Sequence, residues 1–404
     1  MIYLNNAADS FPKLGCVTKF LSNQEYFLTG RECNCQTDSR KKVTEIFRSK
    51  IKEILNLPDN FQVTITHGAT ESANLVIQSF FKQSRDNDFV VCDHACHNSV
   101  IRPCYELYGD YRCFIHNNRY KQPCRFDDKC LIDICTSEGR QFKKCQMVIF
   151  SYESNVTGSI MVNVRQLLDF MSKRSPSTAI VLDITQAIGN TKIDISKLLD
   201  GIDYQNLYIF GTTHKSLGSI SGTGFLVHPV NNKLIPLIYG GTGIGDHRQP
   251  RDFPHYLESG TYNITSIVCA NKALDYSMSF MDVECMAKAQ LVKYFISKFN
   301  RLKSKAVKKY VKLQTRFVNP SSGIINLFPI NETVGEFITT SLFKQGFVTR
   351  FGCHCCSKFS YFDNDDVYKM SIRVSFNSVN TNSDIDNFFD AFSNTILELV
   401  SNDR

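Results

Sequence analysis

The sequence predicts an α/β fold, with a mainly parallel central sheet in a large domain and a smaller C-terminal α+β domain. Three observations predict it. Short apolar runs recur with helical or loop segments between them, 404 residues are enough for two cores, and beyond about residue 303 the pattern changes to isolated strands and a closing amphipathic helix. The alternation puts the large domain at 15–265 and the smaller one at 266–404 together with the N-terminal segment 1–14. Apolar residues make up 43% of the chain and charged residues 21%, the balance of a globular protein. No stretch reaches the ~20 apolar residues that a bilayer crossing requires.

The first helix carries Val43, Ile46, Phe47, Ile51 and Ile54 at helical spacing, with Ser39 as its N-cap. A strand over 61–66 runs into His67-Gly68-Ala69-Thr70-Glu71, after which Leu75, Ile77 and Phe80 continue as helix. The first N–H groups of a helix are unpaired, so this turn resembles an anion cradle. Runs at 89–92, 147–150, 179–182 and 207–210 read as buried parallel strands. Each ends in polar residues: Asp93 to Asn98, Ser151 to Asn155, Asp183 to Gln186, and Thr212 to Lys215. Ligands collect at such strand ends. A long helix is expected from Thr261 to about Lys303, then strands at 324–328 and 371–376. Ser383 is expected to cap a last helix whose Ile385, Phe388, Phe389, Phe392, Ile396 and Leu399 form a packing stripe.

A net charge of +7 is spread over the chain, and short basic groups such as Arg40-Lys41-Lys42 and Lys303 to Lys309 read as solvated helix faces rather than a nucleic-acid patch. Met1 to Asn6 contains no basic segment followed by an apolar run, so the 16 cysteines are expected as reduced thiols in a cytoplasmic setting. Cys92, Cys96, Cys104 and Cys113 read as core packing. Lys215 stands between the apolar strand Leu207 to Phe210 and a turn of small residues, Ser216 to Gly224. A lysine held rigidly there has room beside it for a flat ligand and can form a Schiff base.

Several motifs occur in a fixed order along the chain. They are Tyr3 to Ala8, His67 to Glu71, His97-Asn98-Ser99-Val100, Ser154-Asn155-Val156-Thr157-Gly158, Asp183 to Gln186, His214-Lys215, Glu258 to Thr261, Arg350 to Cys355, and Ser371-Ile372-Arg373. Over nearly its whole length the sequence thereby resembles the class V, fold-type I enzymes that use pyridoxal 5'-phosphate, and within them the cysteine desulfurase group. The resemblance implies that Lys215 holds the cofactor and moves the substrate Cα proton. Asp183 would keep the ring nitrogen protonated, Gln186 and Asn155 would face the ring oxygen, and His97, in preference to His94, would stack on the ring. Thr70, Thr212 and His214 would hold the phosphate, joined by Thr261 from the other subunit of a homodimer. Arg373 would clamp the α-carboxylate of L-cysteine, with Asn155 and Ala8 nearby. Cys355 would be the nucleophile that carries sulfur to an acceptor protein or small thiol.

Two departures stand out: the tandem Cys355-Cys356 leaves two nucleophile candidates, with Cys353 a third, and Asp9 occupies the place of a small hydroxyl residue. No resident metal is expected, although Cys353, His354, Cys355 and Cys356 with Cys33 and Cys35 offer soft ligands for zinc. A pyridoxal-phosphate C–S lyase, a molybdenum-cofactor sulfurase-like enzyme and a non-catalytic scaffold are the alternatives.

Overall fold

The apolar runs of the large domain are hydrophobic on both faces, and in the structure both faces are covered. The computed structural model describes residues 1–23, 37–116, 142–241, 247–302, 305–359, 361–363 and 366–402. Its strands in chain order are β1 (Ile2–Tyr3), β2 (Phe61–Thr66), β3 (Phe89–Asp93), β4 (Cys113–His116), β5 (Cys145–Ser151), β6 (Ala179–Asp183), β7 (Leu207–Thr212), β8 (Gly224–Pro229), β9 (Val311–Leu313), β10 (Ile324–Pro329), β11 (Phe347–Val348), β12 (Arg350–Gly352), β13 (Tyr361–Asp363), β14 (Asp366–Tyr368) and β15 (Ser371–Ser375). The large sheet has the order β2-β8-β7-β6-β5-β3-β4. Strands β3 to β7 pair in parallel, while β8 runs antiparallel to both β7 and β2.

Period-two alternation divides each strand between two cores. In β7, Leu207 and Ile209 join the core that holds Phe47, Ile51 and Leu274, whereas Tyr208 and Phe210 join the one that holds Leu75, Val76 and Phe80. Burial of each such side chain contributes roughly 1.5–3 kcal/mol, so helices are held on both faces and the strand ends are left as the open edge. Helix Ala69–Phe81 starts at Gly68 directly against β8: a Cβ on Gly224 would lie 2.6 Å from Gly68 Cα. Only a glycine at 224 lets the helix start and the sheet approach this closely.

The smaller domain has an antiparallel sheet in the order β12-β15-β10-β9. Phe295, Phe388, Phe389 and Phe392 pack beneath it. β1 pairs in parallel with β11, and Leu4 enters the same core. Helix Ile264–Arg301 joins the two halves, with Ile267, Ala270 and Leu274 in the first core and Leu291, Val292, Phe295 and Phe299 in the second. Among the described residues, no helix is long and apolar enough to cross a membrane.

Several element ends differ from expectation for local reasons. The first long helix spans Thr37–Ile54, so Ser39 lies inside it, and Ile46 is exposed rather than part of the buried stripe. Helix Ile264–Arg301 starts three residues after Thr261, because Asn263 caps it by accepting from Ser266 N–H. Helix Asn382–Asn402 is capped by Thr381, not Ser383: Thr381 Oγ1 accepts from Asp384 N–H and the Asp384 carboxylate accepts from Thr381 N–H. β4 and β8 were not predicted, since β4 has four residues and β8 is bounded by Gly224 and Pro229.

Gly224→Ala forces the helix start away from the sheet and is expected to destabilise the protein by about 1–3 kcal/mol. A urea midpoint equal to that of the unsubstituted protein contradicts this packing.

Candidate active site

Five strand ends deliver polar side chains to one cavity of about 800 Å³. Thr70 comes from the helix start after β2, His97 from the turn after β3, Ser151 from the end of β5, and Glu153 and Asn155 from the loop that follows it. Asp183, Thr185 and Gln186 follow β6, and Thr212, His214 and Lys215 follow β7. The β6–β7 register pairs Asp183 with Phe210, so the aspartate and the lysine leave neighbouring strands.

Their electrostatics are coupled. Burial raises the Asp183 carboxyl, while Thr185 N–H, donating to Oδ1 at 2.9 Å, and the charge of Lys215 pull it back towards ionisation. Burial lowers the Lys215 amine, Asp183 opposes that, and Arg373 adds to it. His97 caps helix Asn98–Tyr108 by accepting from Ser99 N–H at Nδ1, 3.0 Å away. Burial, followed by the charges of Lys215, Arg350 and Arg102, brings its imidazole down to about 4, so the ring is neutral at pH 7. His94, by contrast, packs in the core, stacked on Phe359 with ring centroids 5.6 Å apart.

Thr70 sits in the first turn of helix Ala69–Phe81 and offers a hydroxyl beside unpaired backbone N–H groups. His214 Nδ1 lies 2.9 Å from Thr212 Oγ1, and burial and Lys215 lower its imidazole to about 4. One buried acceptor, Gln186 Oε1, has no hydrogen-bond partner. Leaving a buried polar atom unpaired costs about 1–3 kcal/mol. With an acid, a lysine, a flat imidazole and a helix N-terminus around it, this orphan atom fits a planar, phosphorylated, polar ligand such as pyridoxal phosphate.

A second cavity of about 500 Å³ shares Thr70, Asn74, Gln78, His97 and Ser99 with the first and contains Cys355. Arg350 Nη2 donates to Cys355 Sγ at 3.4 Å. His354 and Cys355 both have left-handed backbones, with φ of 52° and 61°. Such a conformation costs roughly 1–2 kcal/mol per residue, and three contacts hold it here. Asn98 N–H donates to Cys355 O at 2.7 Å, Asn155 Nδ2 donates to His354 O at 2.8 Å, and His354 Nε2 lies 3.0 Å from Ser371 O.

The structure separates the tandem cysteines. Cys356 is buried, its thiol donates to Asn155 Oδ1 at 2.9 Å, and burial pushes it well above the usual thiol range. Cys355 alone of the pair opens onto the cavity.

Three expected ligand residues stand apart from the main cavity. Arg373 is buried in β15 and does not line it; Nη1 donates to Asn155 O at 2.7 Å, Nη2 to Asn5 Oδ1 at 3.0 Å, and Nε has no partner. Ala8 does not line it either, because its N–H turns back to Asn5 O. Thr261 is exposed and lines a different pocket, with Ser259 and Gly260. Of the soft-ligand set, Cys33 and Cys35 lie outside the described residues; among the described residues the one group of converging metal-ligand atoms is Cys92, Cys104 and Cys113, which does not include Cys353, His354, Cys355 or Cys356. Glu153 and Thr185 are site residues that the sequence reading named only within longer runs. Glu153 is buried, accepts from Thr191 Oγ1 at 3.0 Å, and is pushed up to about 8 by burial.

A family model described as aminotransferase class-V matches residues 2–388. A probable cysteine desulfurase of Haemophilus influenzae is 25% identical over 403 residues, covering 98% of this chain and 86% of the relative. A cysteine desulfurase of Wigglesworthia glossinidia brevipalpis is 25% identical over 406 residues, with 96% and 91% covered. Among solved structures, a cysteine desulfurase of Escherichia coli shares the fold with a TM-score of 0.74 at 20% identity, over 98% of this chain and 94% of that one. A NifS-like protein of Rickettsia africae does so with a TM-score of 0.77 at 19% identity, over 98% and 99%.

Glu153 provides a pH test. Its folded value of about 8 lies above the unfolded value of about 4.5, so its contribution to stability is whole below about 4.5 and is lost as pH rises through about 8. The stability of Glu153→Gln relative to the unsubstituted protein is therefore expected to rise across that window. A difference in denaturation midpoint that stays flat contradicts a protonated Glu153.

Proposed function

The chain belongs to the aminotransferase class-V family, and from that premise we propose that it is a pyridoxal 5'-phosphate-dependent cysteine desulfurase. The observation that carries this reading is Cys355, a thiol beside Arg350 on a strained loop, opening onto a cavity that shares a wall with the one around Lys215. Cysteine desulfurase relatives spanning most of the chain support it.

Once bound, pyridoxal phosphate supplies a carbonyl carbon for an amine and an electron-withdrawing ring that stabilises negative charge at the substrate Cα. Thr70, Thr212 and His214 would hold the phosphate, Asp183 would keep the ring nitrogen protonated, and the neutral face of His97 would cover the ring. Gln186 and Asn155 would lie towards the ring oxygen. Lys215, its amine lowered by burial, would take the Cα proton and return one to carbon. Arg373 grips the α-carboxylate of L-cysteine, exchanging its contacts to Asn155 and Asn5 for the substrate.

The sulfur of Cys355 attacks the substrate sulfur. The new S–S bond forms as the substrate C–S bond breaks, the substrate carbon takes a proton and leaves as alanine, and Cys355 retains a persulfide. An acceptor protein or small thiol then removes that sulfur. Two copies would pair so that Thr261 completes the phosphate site of the partner, which accords with its exposed position outside its own cavity.

L-cysteine is expected to yield alanine and, under reductant, sulfide. Lys215→Ala should lower turnover at least ~10²-fold. Cys355→Ser should lose sulfide release while Cys356→Ser keeps most of it, and equal rates in those two variants would contradict the nucleophile assignment. Arg373→Lys replaces a planar fork by a point charge and should raise KM roughly tenfold to a hundredfold; an unchanged KM contradicts the carboxylate clamp.

A further inference from the structure

Away from both cavities, three sulfurs meet between the large sheet and helix Asn98–Tyr108. Cys92 lies in β3, Cys104 in the helix, and Cys113 at the start of edge strand β4. Their Sγ atoms all lie within 4.8 Å of one another, and the three residues are 0%, 0% and 3% exposed. Three separate elements contribute one sulfur each, so the grouping is set by helix docking and by the β3–β4 register, which pairs Val90 with Cys113 and Cys92 with Ile115. The neighbours are apolar, among them Val90, Val100, Ile101 and Met147. Cys96, close by, is not part of the group, because its thiol donates to Ile149 O at 3.4 Å.

Core packing accounts for a buried cysteine as a small hydrophobe. It gives no reason for three sulfurs to face one another, since each packs as well against carbon. Each sulfur is within reach of the other two, so the three already form a closed triangle.

We propose that Cys92, Cys104 and Cys113 form a trigonal thiolate site for a soft d10 cation, Cu(I). Three sulfurs in an apolar pocket match a soft ion that is satisfied by three thiolate donors and keeps no bound water. At metal–sulfur distances near ~2.3 Å a planar triangle has S···S edges of about 4.0 Å, so small side-chain rotations close the site. Loading displaces the thiol protons and leaves net negative charge. Among the described residues β4 is the outermost strand of the sheet, so entry needs local opening there and not disruption of the sheet centre.

The test is an anaerobic titration of the reduced full-length protein with Cu(I) against a chromogenic Cu(I) chelator, comparing the unsubstituted protein with Cys104→Ser and Cys113→Ala. Circular dichroism establishes which variants are folded, and Cys113→Ala, at the sheet edge, is the milder change. The unsubstituted protein is expected to retain one Cu(I) more than either variant. Copper X-ray absorption on the loaded protein is expected to show a three-sulfur shell, a readout that does not depend on the variants folding. Equal Cu(I) retention in the unsubstituted protein and a folded variant, a shell with two sulfurs or with nitrogen or oxygen, or preferential retention of Zn(II) overturns the proposal.

Discussion

The arrangement depends on a carboxylate and an amine that leave neighbouring strands within each other's field, both shifted by burial. Asp183 and Lys215 are each pushed towards neutrality by burial, and each counters the shift of the other. An isolated buried charge would neutralise itself. Two adjacent parallel strands, covered on both faces, keep the pair in register, and the paired strand ends open onto a cavity. The remaining polar groups of the site, from Thr70 to His214, are placed by the same sheet edge.

The smaller domain adds what the sheet edge lacks. β15 carries Arg373, and the loop after β12 carries Cys355. Asn155 links them to the large domain: its backbone oxygen accepts from Arg373, its amide donates to His354 O, and its side-chain oxygen accepts from Cys356. Arg373 and the loop of Cys355 are therefore tied to one residue in the loop after β5. The long helix Ile264–Arg301, packed into both cores, keeps the two halves in fixed relation.

Much of this was legible in the sequence, because buried parallel strands carry continuous apolar runs and their polar ends are distinct. The runs 147–150, 179–182 and 207–210 fall within β5, β6 and β7. Short or bounded strands such as β4 and β8 lack that signal, and caps such as Asn263 and Thr381 compete with neighbouring Thr261 and Ser383 that look equally suitable. Burial at the site was not legible. Nothing in the order Tyr152-Glu153-Ser154 marks Glu153 as a buried carboxyl, and the tandem Cys355-Cys356 divides into an open and a buried thiol only through the left-handed turn at His354 and Cys355. The convergence of Cys92, Cys104 and Cys113 likewise depends on strand register and helix docking rather than on spacing.

The destination of the substrate sulfur decides the mechanism. Peptide mass spectrometry after a single turnover with L-cysteine, in the absence of reductant, reads this directly. The expected result is the mass of one added sulfur atom on Cys355 together with one alanine. Pyruvate and ammonia without a sulfur adduct, or an adduct on Cys356 with Cys355 unmodified, would contradict it.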